Sequence, residues 1–123
     1  MADDLPAPKP LIWRGASKTA FMAFPAAVQR EMGYAIFLAQ IGERHPSTAK
    51  TLKGFGSGTV IEVRESYVGN AYRAVYTVRY PDVLYILHAF QKKSTKGTTT
   101  PRAEIETIHR RLRELIKERE QGK

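Results

Sequence analysis

The chain contains no cysteine, which excludes disulfides, a thiolate nucleophile and any zinc site built on sulfur. It also lacks an apolar run approaching the roughly 18 residues that cross a bilayer. The opening stretch, Met1-Ala2-Asp3-Asp4-Leu5-Pro6-Ala7-Pro8, has neither a basic start nor an apolar segment behind it, so it does not read as a signal peptide. A cytoplasmic protein without a membrane partner is the expectation. Acidic side chains are scarce, with 12 Asp+Glu against 20 Lys+Arg. Glu31, Glu43, Glu62, Glu65, Asp82 and the C-terminal glutamates are scattered, and no paired set points to a two-metal nuclease. His45, His88 and His109 are too dispersed to suggest a metal triad. Neither a metal nor a cofactor is expected. The glycine-rich stretch Lys53-Gly54-Phe55-Gly56-Ser57-Gly58 lacks the Gly-Lys-Ser/Thr of a phosphate-cradling loop.

What is present is positive charge. The net charge is +8 and the isoelectric point about 9.9. Ten basic and five acidic residues fall within 91–123, so +5 of the total sits in the last quarter. An excess of this kind attracts polyanions, of which nucleic acid is the commonest. At 123 residues there is room for one domain and one core.

The elements can be read in order. Residues 1–10, with three prolines, form a flexible tail; Leu11-Ile12-Trp13 is a short strand. Ser17 is suited to cap a helix through about Ala23. Pro25 suits the first position of a second helix, in which Val28, Met32, Ala35, Ile36 and Ala39 recur at helical spacing and which Gly42 ends. Gly33 inside it is read as allowing close packing. Residues 59–65 alternate as a half-buried strand, Gly69-Asn70 marks a hairpin, and Tyr72–Arg79 and Val83–Phe90 are further strands, the last apolar on both faces and so expected at the centre of the sheet. Thr100-Pro101 opens a last helix with a narrow stripe of Ile105, Ile108, Leu112 and Leu115 and an otherwise arginine-rich surface. The order β-α-α-β-β-β-α predicts an α+β domain with two N-terminal helices packed on an antiparallel sheet.

Chemistry concentrates late in the chain. Leu87-His88-Ala89-Phe90-Gln91-Lys92-Lys93-Ser94-Thr95-Lys96 places a histidine and three lysines at the end of one strand. Arg73 and Arg79 share a face of the neighbouring strand with Val75 and Thr77. Such cations can line a phosphate-sized site. Cleavage of RNA by its own 2′-hydroxyl needs a proton acceptor, charge stabilisation on phosphorus and a proton donor, which Lys, Arg, Tyr and His can supply without a metal. The plainer alternatives stay open: His88 as a packing residue, Arg73 paired with Glu62 or Glu65 across the hairpin, and the lysine-rich loop as a solvated surface.

Three stretches together resemble a known family. They are Leu52-Lys53-Gly54 followed by Val60-Ile61-Glu62-Val63-Arg64; Tyr72-Arg73-Ala74-Val75-Tyr76; and Leu84-Tyr85-Ile86-Leu87-His88-Ala89-Phe90-Gln91-Lys92-Lys93 with Thr100-Pro101 beyond. In this order they resemble the HigB-like, phage-derived branch of the RelE/ParE toxin superfamily, over a domain at 11–118 followed by a short tail at 119–123. The resemblance implies a microbial-ribonuclease-like fold with a curved antiparallel sheet. It also implies a type II toxin that cuts mRNA on the ribosome without a metal and is neutralised by a helix-turn-helix antitoxin. It places Arg73 at the scissile phosphate, Lys92 and Lys93 as charge stabilisers or proton donors, and His88 in the branch's own signature. Lys53, Arg79, Lys96 and Arg102 are the expected RNA-binding residues. Val60 and Glu62 stand where the best understood relatives carry lysines, which leaves Glu62 or Tyr76 as the candidate general base. The superfamily also holds ParE-like members that inhibit gyrase without cutting RNA, and a non-catalytic nucleic-acid-binding accessory protein is a third possibility.

Overall fold

The computed structural model describes residues 6–92 and 99–122. Its elements are β1 (Leu11–Trp13), α1 (Ser17–Met22), α2 (Ala26–Gln40), β2 (Ala49–Thr51), β3 (Val60–Tyr67), β4 (Asn70–Thr77), β5 (Leu84–Lys92) and α3 (Arg102–Gln121). The strands form one sheet in the order β1-β5-β4-β3-β2. The β2 to β5 neighbours pair antiparallel, whereas β1 runs parallel to β5. The fold is the expected α+β arrangement, with β1 added along one edge and the three-residue β2 along the other. β4, rather than β5, occupies the middle.

Alternation along the strands divides the sheet into two packed faces. Ile61, Val63, Tyr72, Ala74, Tyr76, Leu84, Ile86 and Ala89 pack with Phe21, Phe24, Val28 and Met32 of the α1–α2 layer. Val60, Val75, Tyr85, Leu87 and Phe90 pack on the opposite face with Ile108 and Leu115 of α3. An irregularity in β5 adjusts the second face. Val75 pairs with His88 but Tyr76 pairs with Ile86, so Leu87 is an extra residue. This bulge turns both Leu87 and His88 toward α3, where strict alternation would separate them.

Pro25 stands just before α2 rather than within it. At the other end the Gly42 amide donates to the Ala39 carbonyl and that of Glu43 to Leu38, with Gly42 at φ +84°. This is a Schellman cap, and the positive φ requires the glycine. The expected close packing at Gly33 is absent: a β-carbon there would meet nothing within 4 Å. The two expected hydroxyl caps serve other purposes. Ser17 is buried in the first turn of α1 and donates to the Ile86 carbonyl at 3.3 Å. Thr100 precedes the cap position of α3 and donates to Glu62.

α3 seals its face with a narrow stripe, of which Ile108 and Leu115 are fully buried, worth about 1.5–3 kcal/mol each. Ion pairs flank it: Arg14 chelates Glu118 at 2.6 and 2.9 Å, and Arg119 chelates Asp82 at 2.8 and 3.2 Å while lying over the Tyr80 ring. The folded body reaches beyond 11–118, because Lys9 exchanges hydrogen bonds with Gln40 and α3 continues to Gln121.

Candidate active site

The α3-facing side of β3, β4 and β5 carries the polar residues of interest. In β3, Glu62 and Arg64 share this face with Val60; in β4, Arg73 stands directly across from Arg64; and in β5, His88, Phe90 and Lys92 run beside Val75, Arg73 and Ala71. Two arginines facing each other across a ladder would repel. Glu62, with no solvent exposure, offsets that repulsion. Its Oε1 accepts from Arg64 Nε at 2.9 Å and lies 3.7 Å from Arg73 Nε, while its Oε2 accepts from Thr100 Oγ1 at 2.7 Å.

Arg73 is 5% exposed. Burial pulls the affinity of its guanidinium for the proton down, the nearby Glu62 carboxylate pushes it back up and Arg64 pulls it down again. It remains charged in any case. NH1 donates weakly to the Tyr72 carbonyl at 3.4 Å, and Nε is buried without a hydrogen-bond partner among the described residues. An orphaned charged donor of this kind costs free energy unless an acceptor arrives. Arg73 is therefore held more by the Glu62 charge than by its one weak hydrogen bond, and among the described residues its Nε donor is left over.

The expected site residues fall into three groups. Lys92, half-buried at the end of β5, lies on the same face as Arg73 and diagonal to it, a separation of about 7–8 Å. Lys53 and Arg64 line a cavity of about 330 Å3 together with Leu52, Ile105, Thr51, Thr99 and Thr100, and Arg102 is exposed two residues after Thr100. Lys93 and Lys96 lie outside the described residues. Arg79 is not brought to this group. It follows β4 at the far end of the sheet from Lys92, and lines a different cleft with Tyr80, Glu118 and Arg119.

His88 is engaged on both ring nitrogens. Nε2 lies 2.8 Å from Glu104 Oε1, and Nδ1 lies 3.2 Å from Arg111 NH1, which also donates to the Leu87 carbonyl at 2.9 Å. Arg111 can only donate, so Nδ1 accepts and Nε2 carries the proton to Glu104. Burial holds the His88 pKa below its ordinary value, against the pull of Glu104 and with the help of Arg111. The histidine ties β5 to α3. Tyr76, one of the two candidate bases, is on the opposite face among the α2 contacts, where burial pushes its hydroxyl pKa up.

Sequence reading missed Arg64, Thr100, Glu104 and Arg111 as parts of this constellation. Arg64 was recoverable, since it shares parity with Glu62 and lies one hairpin away from Arg73. The α3 residues depended on how the helix lies across the sheet. Among the described residues no group of three His, Asp or Glu side chains is placed to hold a metal ion, and no helix is long and apolar enough to cross a membrane.

The architecture is that of the RelE fold. A structure of the E. coli toxin RelE, an arginine double mutant in the free state, matches with a TM-score of 0.56 over 88% of this chain and 98% of that one, at 11% identity. Residues 19–113 match the family model of the phage-derived Gp49-like proteins (DUF891), and the chain belongs to that family. No curated protein matches it in sequence. Family and fold agree with the resemblance seen in the sequence.

Proposed function

We propose that this protein is the toxin of a type II toxin–antitoxin pair, an endoribonuclease that cuts mRNA on the ribosome and needs no metal. The observation that carries the reading is the convergence on one sheet face of Arg64, Arg73 and Lys92 from three strands, with a donor of Arg73 that has no hydrogen-bond partner among the described residues. The net charge of +8, the Gp49-like family and the RelE fold support it. In this reading the ribose 2′-oxygen bonds to phosphorus as the bond to the 5′-oxygen breaks. The hydroxyl loses its proton to water, since Glu62 and Tyr76 are both buried, and the leaving oxygen gains one from Lys92 or Lys93. Arg73 binds the scissile phosphate, and Lys92 with Lys93 stabilises the added charge or protonates the leaving group.

Glu62 is suited to orient Arg64 and Arg73 rather than to take a proton, since both oxygens are engaged and neither reaches solvent. His88 acts as a positioning residue through α3. Lys53, Arg102 and Lys96 guide the RNA backbone, and Arg79 contributes only to contacts away from cleavage. A helix-turn-helix antitoxin would present an acidic segment to this basic face.

Induction in bacteria followed by primer extension tests the proposal. Cuts within translated mRNA should appear within minutes. Arg73→Ala and Lys92→Ala/Lys93→Ala should each reduce cutting by about 10²–10³-fold, with the far-ultraviolet spectrum unchanged. An SOS response with arrested replication and intact mRNA would instead support the gyrase-inhibiting alternative, and a harmless protein the accessory one.

A further inference from the structure

The cavity between the β2–β3 loop and the start of α3 lies beside the scissile-phosphate site. Arg64 is common to both: it stands across from Arg73 in the ladder and it lines the cavity. The backbones that carry Arg64 and Arg73 are one strand spacing apart, about 5 Å, so the two sites are neighbours. At about 330 Å3, the cavity is at the small end of ligand pockets, about 300–1,000 Å3, enough for one nucleotide and not for a longer piece.

We propose that this cavity is a nucleotide subsite, which holds the base and phosphate next to the phosphate bound by Arg73; this rests on the nuclease reading above. The lining divides by chemistry. Lys53 and Arg64 supply positive charge for a phosphate, while Leu52 and Ile105 supply apolar surface for the face of a base. Thr51 also lines the cavity, but it pairs with Ile61, so its hydroxyl lies on the α2 side of the sheet, where it accepts from Arg44 NH1 at 3.1 Å. Thr100 Oγ1 spends its proton on Glu62 and keeps acceptor capacity. The Thr100 acceptor is thus placed to meet the edge of a base, the kind of contact by which single-stranded RNA is read. Among the described residues no carboxylate lines the cavity. The larger cleft of about 560 Å3 near Arg79 includes Glu118 and Glu120 in its lining, and its Glu118 and Arg119 are already committed to Arg14 and Asp82.

The subsite is also pre-formed. Phe55 of the glycine-rich loop stacks on His109 of α3, with ring centroids 4.0 Å apart and planes at 23°. That contact holds the loop against the helix, and the Thr100–Glu62 bond holds the start of α3 against β3. Walls set in advance reduce the ordering cost of binding.

The test is an amide NMR titration of the full chain with inorganic phosphate, with adenosine and with each of the four nucleoside 3′-monophosphates. The tightest nucleotide should bind at least tenfold more strongly than phosphate or adenosine and shift the amides of Leu52, Lys53, Arg64 and Ile105. Lys53→Ala should weaken it at least fivefold, whereas Lys18→Ala, exposed on α1, should not. Equal binding of phosphate and nucleotides, shifts centred elsewhere, or indifference to Lys53→Ala would overturn the subsite. Cleavage on programmed ribosomes is scored separately. Cutting without base-dependent binding rejects the subsite alone, while binding without cutting rejects the nuclease alone.

Discussion

Replacing Glu62 by leucine isolates the energetics of the buried charge cluster. The carboxylate is fully buried and is the one described anion near Arg73, 3.7 Å from its Nε. Removing one partner of a buried ion pair costs about 3–5 kcal/mol, because the other is left uncompensated. Arg64 adds little, since its side chain is 31% exposed and can turn to water. For 123 residues the unfolding entropy near 60 °C is about 0.26 kcal/mol per degree, so Tm should fall by about 12–19 °C. Arg73→Met should cost less, because Glu62 keeps Arg64 and Thr100 as donors whereas Arg73 has no second anion. The double variant Glu62→Leu/Arg73→Met removes both charges and should recover most of the loss, with a coupling of at least about 2 kcal/mol. Calorimetry on the four proteins measures the cycle. A fall of less than about 3 °C in Glu62→Leu, or a double variant that loses the sum of the singles, would refute the reasoning.

Four further outcomes are expected. His88 has its pKa depressed by burial, so the unfolded chain takes up its proton first as pH falls below about 6.5; stability from this group is full above that pH and declines below it until the folded pKa is passed. The difference in Tm between pH 7.5 and 5.5 should therefore shrink in His88→Gln relative to the parent. Gly15→Ala should destabilise by at least about 2 kcal/mol in urea melts, since φ is +55° and the new Cβ would lie 2.6 Å from Arg111 Nε. Gly33→Ala, in open space within α2, should stabilise by about 0.5–1 kcal/mol, and Val68→Asn should also stabilise, because Val68 has φ +49° in the Val68-Gly69 hairpin loop where asparagine is tolerated and a β-branched residue is not.

Where local chemistry decides, the sequence was readable. Gly42 ended α2 because only a left-handed residue completes that cap, and the alternation of Ile61 and Val63 against Glu62 and Arg64 separated the two faces. The strand expected to be half-buried is nevertheless buried on both faces over Val60 to Val63, because α3 covers the second. Hydroxyls were the weak point. Ser17 and Thr100 have the composition of helix caps, but Ala16 and Pro101 occupy the cap positions, one residue before Ser17 and one after Thr100, and the two hydroxyls instead donate to the Ile86 carbonyl and the buried Glu62 carboxylate. Arg79 was misplaced for a related reason: parity placed it on Arg73's face, but β4 ends at Thr77, and the Arg79 amide turns back to the Thr77 hydroxyl at 3.1 Å. Lys53 and Arg73 could be nominated from type and position. That Thr100, Glu104 and Arg111 belong with them depends on the resting place of α3, which follows from tertiary contacts made by Ile108 and Leu115.

The extra residue at Leu87 has a consequence for anyone comparing or editing this strand. It resets the odd–even count, so that His88, Phe90 and Lys92 look the way Tyr85 does although they differ from it in parity. Deleting Leu87 would restore a regular ladder and leave His88, Phe90 and Lys92 opposite Val75, Arg73 and Ala71, on the side of the sheet they already occupy, because the bulge absorbs the extra residue and the pairing beyond it is unaffected. An ungapped alignment to a relative lacking that insertion would equate residues lying on opposite surfaces.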